Sequence, residues 1–121
     1  LATGDVAWEV PLGSSADPGL PFDRPVGLPG FGGPLVTKSG VVFIGATTGS
    51  LFRAFDLASG AELWRARLPA GAQATPISYV VEDAPGGPRQ FVVVAAGGHW
   101  GFHAAGLDLS DALVAFALPR E

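Results

Sequence analysis

Two stretches of the sequence are near copies of each other and lie 56 residues apart. Leu1–Gly4, followed by Trp8, recurs as Leu57–Gly60, followed by Trp64, and 64 minus 8 gives the offset of 56. Leu, Ala, Gly and Trp recur in register. Self-similarity at a fixed spacing is typical of repeat architectures, in which each unit buries an apolar face against its neighbour. The sequence therefore predicts an array of similar units.

Short apolar runs bounded by turn residues predict an all-β fold for these units. The 18 Gly and 11 Pro are spread between the runs, which favours tight turns over disorder. Val6, Trp8, Val10 and Leu12 occupy alternate positions and predict a strand from Asp5 to Leu12 with one apolar face. Further strands are predicted at Leu35–Lys38, Val41–Ala46, Leu51–Asp56, Glu62–Leu68, Thr75–Glu82, Arg89–Ala96 and Ala112–Leu118.

The predicted strands form one complete four-stranded unit and one unit without its last strand. Ala54–Leu57, in the third strand of the first unit, aligns with Ala115–Leu118, in the third strand of the second. Four-stranded units repeated radially are the blades of a β-propeller. We therefore expect about two four-stranded antiparallel blades: residues 1–13 as the last strand of a preceding blade, 14–33 as a connecting loop, 34–69 as a complete blade, and 70–121 as an incomplete last blade.

Composition and charge exclude several functions. Seven basic and eleven acidic residues give a net charge of −4, and no segment concentrates enough Lys or Arg to bind a row of nucleic-acid phosphates. The absence of Cys excludes disulfides, thiolate metal sites and a Cys nucleophile. The sequence shows no metal-ligand cluster, Ser/His/Asp arrangement or phosphate-binding glycine loop, so we predict no catalytic residue and no metal ligand in this chain.

Seven segments in unbroken order carry a family resemblance: Gly32–Thr37, Val42–Thr47, Arg53–Asp56, Glu62–Pro69, Gln73–Pro76, Ala96–His99 and Ala115–Pro119. Together they resemble the C-terminal end of the membrane-bound quinoprotein dehydrogenases. The similarity is greatest to the glucose dehydrogenases that depend on pyrroloquinoline quinone (PQQ), with the quinate/shikimate and polyol dehydrogenases as siblings. The resemblance covers nearly the whole chain.

The resemblance implies an eight-bladed propeller of which this chain is the C-terminal fragment. It implies PQQ near the central axis with a divalent cation, calcium or magnesium, beside it. The parent protein is then expected to oxidise a sugar, glucose foremost, or a polyol, in a periplasmic domain of an inner-membrane protein that passes electrons to ubiquinone. Because the family's catalytic carboxylate and metal ligands lie in earlier blades, the isolated chain is expected to be inactive.

The resemblance places the cofactor contact on the loop that contains His99. In the family, the His of a Gly-Gly-His motif lies at the PQQ site, and Gly97, Gly98 and His99 match that motif. An imidazole can donate a hydrogen bond to a quinone oxygen, and glycine lets the backbone approach a flat cofactor closely. Thr48, at the equivalent strand end of the preceding blade, and Trp100 are secondary candidates. The alternatives are a solvated loop histidine and an ordinary glycine turn.

Other residues have structural interpretations. Trp8 and Trp64 recur at one repeat position, so we interpret them as docking residues between blades rather than as stacking platforms. Trp100 has no repeat counterpart, and it either lines the mouth of the site or covers the blade. His103 is expected at the surface, and Asp108 and Asp111 are expected to make turns rather than to bind a metal.

Two further hypotheses concern partners. A non-catalytic propeller that binds only proteins would share the Trp positions, but it would lack the Gly-Gly-His loop, so the motif at Ala96–His99 disfavours this alternative. Open blade edges and apolar blade faces recruit partners. We therefore expect the chain to self-associate, with the Asp5–Leu12 strand of one copy completing the open blade of another.

Overall fold

The structure, a computed structural model, describes residues 3–15, 24–104 and 106–119 and contains two antiparallel sheets. The first sheet has the order β1-β2-β3-β4 and the second has the order β5-β6-β7. The strands are β1 (Leu35–Val36), β2 (Val41–Ile44), β3 (Leu51–Asp56), β4 (Glu62–Arg67), β5 (Ile77–Val81), β6 (Arg89–Ala96) and β7 (Ala112–Phe116), and one short helix, α1 (Trp100–His103), precedes β7. The predicted all-β class, with a four-stranded unit before a three-stranded one, is confirmed.

Local backbone chemistry explains why some strands are shorter than predicted. β1 ends at Val36 because Thr37 enters a turn: its backbone N–H donates to the Val41 carbonyl at 2.9 Å, and its hydroxyl oxygen accepts from the Val41 N–H at 3.0 Å. β2 ends at Ile44 because the backbone bends at Ala46, which adopts a φ of +41°. A positive φ is incompatible with a continuing strand.

The predicted strand from Asp5 to Leu12 is not found in a sheet. Residues 5–12 pair with no strand among the described residues, and Val6 is 77% exposed. A strand is held by ladder hydrogen bonds to a neighbour, and the alternation of apolar residues cannot supply that neighbour. The assignment of residues 1–13 to a preceding blade therefore stays a prediction. The part of the predicted 14–33 loop at 16–23 lies outside the described residues.

The hydrophobic core lies between the two sheets. Phe52 of β3 is fully buried and stacks on Phe116 of β7, with ring centroids 5.6 Å apart. The rest of the buried cluster comes from the end of β4, the segment that connects the sheets, and β6: Leu68, Ala72, Val92, Val94 and Ala96. Packing the inner faces of two sheets against each other is how neighbouring blades exclude water.

Both repeated tryptophans join separate parts of the fold. Trp64 of β4 packs edge to face against Phe116 of the second sheet, with centroids 5.0 Å apart. Trp8 donates a hydrogen bond from Nε1 to the Leu57 carbonyl at 2.8 Å, and its ring lies against Gly60 in the β3–β4 turn. The Trp64 contact agrees with its interpretation as a docking residue between blades, whereas the same interpretation of Trp8 stays a prediction because its own segment pairs with no strand among the described residues.

Candidate functional site

The predicted site loop starts where β6 ends. Ala96 is the last residue of β6, and the Ser110 N–H donates to the Gly97 carbonyl at 3.2 Å, which brings the two ends of the loop together just before β7. Within the loop, His99 immediately precedes α1, whose N-terminal residue is Trp100. The sequence analysis missed this helix, because a single turn of four residues leaves no apolar periodicity to detect.

Of the two glycines before His99, only Gly98 is required by the backbone. Gly98 has a φ of +70°, and a Cβ built there would overlap the carbonyl oxygen of Asp108. Its N–H donates to the Gly71 carbonyl at 2.8 Å, which anchors the loop to the segment between the sheets. A Cβ on Gly97 would meet only the Ser110 carbonyl oxygen, at an ordinary 3.6 Å. Gly98 thus fixes the direction in which the chain presents His99.

The half-buried His99 ring lies beside two aromatic rings. Its centroid is 5.0 Å from that of Phe31, at an angle of 43°, and 6.0 Å from that of Trp100, at 27°. The Gly101 N–H donates to Nδ1 at 3.2 Å. Because Nδ1 accepts this hydrogen bond, the proton of the neutral imidazole lies on Nε2.

The aromatic neighbours of His99 are exposed. Phe31 and Trp100 are 68% and 79% exposed, respectively. Exposed rings around a single imidazole form an open surface that a flat, conjugated molecule can cover. Whether Trp100 lines the mouth of the site or covers the blade stays a prediction.

The segment between the sheets connects three loops at this end of the fold. The Gly71 carbonyl accepts from Gly98, and the Ala72 carbonyl accepts from the Ala46 N–H at 2.6 Å. The Gln73 side chain makes the third connection: its Oε1 accepts from the Phe31 N–H at 2.9 Å. The loops that contain Ala46, Phe31 and His99 are therefore held on one short stretch of backbone.

Thr48, a predicted cofactor contact, lies in the loop that follows β2. Its backbone N–H donates to the Pro29 carbonyl at 2.9 Å, so its described role is to hold the loop that leads to Phe31. The adjacent Thr47 is completely buried; its carbonyl accepts from Gln73 Nε2 at 2.6 Å. In the described part of the chain, the Thr47 hydroxyl has no hydrogen-bond partner.

Phe31 and Gln73 were missed as site residues by the sequence analysis. Gln73 opens one of the motifs that carry the family resemblance, Gln73–Pro76, and that membership was the available signal. Phe31 lies in the long Gly- and Pro-rich connection, where neither periodicity nor a repeat indicates which side chain reaches the site.

The remaining polar candidates lie apart from this arrangement. His103 is exposed at the end of α1, with its Nδ1 2.9 Å from the Leu107 carbonyl oxygen, and Asp108 is exposed in the loop before β7. Residues 3–15, 24–104 and 106–119 contain no group of three or more His, Asp or Glu side chains that could hold a metal ion. Over the same ranges, no helix has the length and apolar character needed to span a bilayer.

A cavity of about 600 Å³ opens at the other end of the two sheets. Its lining combines the β1–β2 turn, the start of β6 and the residues after β7, with mainly apolar side chains: Val41, Phe43, Trp64, Val92, Phe116 and Leu118. Arg89 and Gln90 are its polar edge. Because β6 runs from this cavity to the His99 loop, the cavity is separate from the predicted cofactor contact.

Comparison with known proteins identifies the family. Residues 1–92 match the family described as PQQ: glucose/ethanol/alcohol dehydrogenase, β-propeller domain. The chain therefore belongs to this family of PQQ β-propeller domains. In agreement, the structure is similar to a europium-containing methanol dehydrogenase, with a TM-score of 0.52 and 31% identity over 64% of this chain and 12% of that chain. The predicted propeller class and the predicted quinoprotein family are both confirmed.

Curated relatives cover almost the whole chain. It is 44% identical to quinoprotein glucose dehydrogenase A of Acinetobacter calcoaceticus, over 98% of this chain and 14% of that protein. It is 42% identical to the quinate/shikimate dehydrogenase (quinone) of Acinetobacter baylyi, over 99% of this chain and 15% of that protein. It is also 42% identical to the glycerol dehydrogenase large subunit of Gluconobacter thailandicus, over 94% of this chain and 15% of that protein. The chain thus spans about one seventh of the length of these relatives.

Proposed function

We propose that this chain is the C-terminal part of a PQQ-dependent dehydrogenase and contributes one side of its cofactor site. The observation that carries the proposal is the position of the His99 imidazole beside two exposed aromatic rings in a chain of the PQQ family. The names of the relatives support glucose, quinate and glycerol as models for the substrate, so the proposed substrate is a sugar, glucose foremost, or a polyol.

The described residues fit one side of PQQ. PQQ is flat and carries quinone and carboxylate oxygens, which accept hydrogen bonds from a donor such as His99 Nε2–H. The exposed rings of Phe31 and Trp100 provide apolar surface next to that donor. At Gly98, a side chain would displace the backbone that places His99. These residues would hold and orient the group, and Thr48 would act through the loop that it anchors.

When bound, PQQ supplies the quinone that accepts the electrons of the substrate alcohol. The role of this chain is to bind and orient: His99 donates a hydrogen bond, and the aromatic rings limit water around it. We place the catalytic carboxylate and the ligands of the calcium or magnesium ion in other blades of the parent, so the isolated chain would be inactive. The parent would be an inner-membrane protein whose periplasmic domain passes electrons to ubiquinone.

The proposal is tested by PQQ titration of the full-length protein and two histidine variants. His99→Ala removes the proposed donor, whereas His103→Ala removes an exposed imidazole on the same loop. The hydrogen bond lost in His99→Ala predicts an affinity about threefold to tenfold weaker, together with lower turnover. His103→Ala should bind PQQ like the wild type. Equal affinity and turnover for His99→Ala and the wild type would remove His99 from the site.

We also propose that the chain self-associates through the outer edge of β7. Among the described residues, β7 pairs only with β6, and Leu113 and Leu118 on and after β7 are 73% and 85% exposed. The occupant that we propose is the Asp5–Leu12 segment of a second copy. In the sequence repeat, this segment corresponds to β4, and β7 corresponds to β3. Because β4 pairs with β3, we expect the Asp5–Leu12 segment to pair with β7 in the same way.

Light scattering over a range of concentrations tests the self-association. A dimer that weakens when Val6 and Val10 are both replaced by Lys is expected, because charged residues on the added strand oppose pairing with an apolar edge. Val26→Lys, which places a charge on an exposed apolar residue outside this segment, is the control. A clean monomer at high concentration would contradict the proposal.

A further inference from the structure

We propose that Gln73 is a positioning residue that sets the place of His99 by fixing the Phe31 ring beside it. The inference rests on the proposed function, in which His99 holds the cofactor. Gln73 is linked to His99 through Phe31: its side chain bonds the Phe31 backbone, and the Phe31 ring lies 5.0 Å from the imidazole.

The Gln73 amide uses both of its ends on backbone groups. Oε1 accepts from the Phe31 N–H at 2.9 Å, and Nε2 donates to the Thr47 carbonyl at 2.6 Å. These partners lie 42 and 26 residues away in the sequence, so the amide ties two loops that no strand pairing joins. An amide is the side chain suited to this bridge, because it combines a donor and an acceptor at fixed separation.

The bridge starts from a rigid base. Gln73 follows Gly71 and Ala72, which are buried and bond the backbone at Gly98 and Ala46. The same stretch of backbone therefore holds the His99 loop directly and the Phe31 ring through the Gln73 side chain. The His99 and Phe31 rings are thus positioned relative to the same backbone segment, as a pre-organised binding surface requires.

The exposure of Phe31 gives the bridge its importance. Phe31 is 68% exposed, so hydrogen bonds to its loop contribute to the position of its ring. Gln73 accepts from the backbone N–H of Phe31 itself, whereas Thr48 bonds the same loop two residues earlier, at Pro29. Without it, we expect the ring to leave the imidazole, which would then become more accessible to solvent and less well oriented.

Gln73→Met tests the inference, since it keeps the length of the side chain and removes both hydrogen bonds. The matched control is Gln90→Met, which removes a glutamine whose Nε2 donates to the Ser78 hydroxyl at 2.8 Å on the second sheet. In the full-length protein, the rate at which diethyl pyrocarbonate modifies His99 is measured by mass spectrometry, with His103 as the reference histidine in the same molecule. PQQ affinity is measured in parallel.

We expect Gln73→Met to raise the modification rate of His99 relative to His103 by about threefold to tenfold, and to weaken PQQ binding by a similar factor. Gln90→Met should leave the His99 modification rate and the PQQ affinity within about twofold of the wild type, because a substitution on the surface far from the site has a small effect.

A His99 modification rate that is the same in Gln73→Met and Gln90→Met would overturn the inference. If Gln73→Met does not fold, Gln73→Asn gives the same test, because a side chain one methylene shorter does not reach both backbone partners. Failure of the proposed function is a different result: PQQ affinity would then be unchanged in His99→Ala, while the modification rate would still report whether Gln73 controls the surroundings of His99.

Discussion

The indole ring of Trp64 meets the phenyl ring of Phe116 edge to face, with centroids 5.0 Å apart and an interplanar angle of 78°. Trp64 belongs to β4 and Phe116 to β7, so this contact joins the outer strand of the first sheet to the second sheet. The positive edge of one ring faces the negative face of the other, which stabilises such pairs beyond the area that they bury.

We therefore predict energetic coupling between Trp64 and Phe116. A double-mutant cycle with Trp64→Leu and Phe116→Leu, measured by urea unfolding, should give a coupling energy of about 0.5–1.5 kcal/mol. The control cycle pairs Trp64→Leu with Tyr79→Leu, because Tyr79 stacks on Phe91 within the second sheet. In the control cycle, the changes in the free energy of unfolding for the two single variants should sum to that of the double variant. Additive effects for Trp64 and Phe116 would contradict a direct contact between the sheets.

The Trp8 contact with the first sheet is predicted to be sensitive to a methyl group at Gly60. Gly60 has a φ of +72°, and a Cβ there would lie 2.6 Å from the Trp8 ring. Gly40, with a φ of +82° and only Leu57 Cβ near, at 4.0 Å, has the same backbone conformation without the clash. Each Ala substitution should cost about 1–2 kcal/mol for the left-handed backbone.

Gly60→Ala should cost about 0.5–1.5 kcal/mol more than Gly40→Ala, because displacing Trp8 breaks its hydrogen bond to Leu57. Thermal unfolding of the two variants gives this difference. Equal losses of stability would show that the Trp8 ring does not lie on Gly60.

Stability at acid pH is predicted to depend on the turn at Asp56. The Ser59 hydroxyl and the backbone N–H groups of Ser59 and Ala58 donate to Asp56 Oδ1 and lower the pKa of this carboxyl below its ordinary value. A lowered pKa in the folded state contributes stability above the unfolded pKa of about 4, and this contribution is lost as the pH falls through the folded pKa.

Ser59→Ala removes the largest cause of this shift. An NMR titration of the Asp56 carboxyl should show a higher pKa in Ser59→Ala than in the wild type. The control is Ser39→Ala, a turn serine whose hydroxyl pairs with Thr37; it should leave the pKa of Asp56 unchanged. The account of this turn would fail if Ser59→Ala titrated like the wild type.

Thr47→Val is predicted to raise stability. The Thr47 hydroxyl is fully buried and has no partner among the described residues, so folding removes it from water without a replacement hydrogen bond. Replacing it with an apolar group of similar shape should stabilise the protein by about 1 kcal/mol. Thr37→Val, which removes a hydroxyl bonded to Val41, should instead destabilise it. Destabilisation by both variants in denaturant unfolding would show that the Thr47 hydroxyl has a partner.

Gly98 and Gly97 are predicted to respond differently to Ala, although they are neighbours. A Cβ on Gly98 would overlap the Asp108 carbonyl oxygen, and the φ of +70° disfavours Ala, whereas Gly97 has room for a methyl group. Gly98→Ala should shift His99 and weaken PQQ binding by about tenfold or more, while Gly97→Ala stays near the wild type. Titration of both variants with PQQ measures this difference. Equal affinities would show that the backbone conformation at Gly98 does not affect PQQ binding.

The strands could be predicted from the sequence wherever turn residues bound a long apolar run. β3 at Leu51–Asp56 and β6 at Arg89–Ala96 have the predicted bounds, because turn residues stop the pattern: Thr47–Ser50 and Ala58–Gly60 around β3, and Pro85–Pro88 and Gly97–Gly98 around β6. The Asp5–Leu12 prediction rested on alternation alone. Alternation shows which face of a strand would be buried, but the partner that holds the strand depends on the rest of the fold.

The site could be predicted only in part, for a similar reason. His99 and its glycines form a continuous motif that a single sequence displays. Phe31 and Gln73 meet across 42 residues, and Gln73 reaches Thr47 across 26, so their relationship exists only after the two sheets have packed. Composition gives no sign that an exposed Phe in a Gly- and Pro-rich loop faces an imidazole.

The central claim is that His99 contacts the cofactor, and the most direct test is a crystal structure of the full-length protein with PQQ bound. We predict a PQQ oxygen within about 2.7–3.2 Å of His99 Nε2, with the Phe31 and Trp100 rings beside the cofactor. PQQ bound away from His99, for example in the cavity lined by Trp64 and Arg89, would contradict the account.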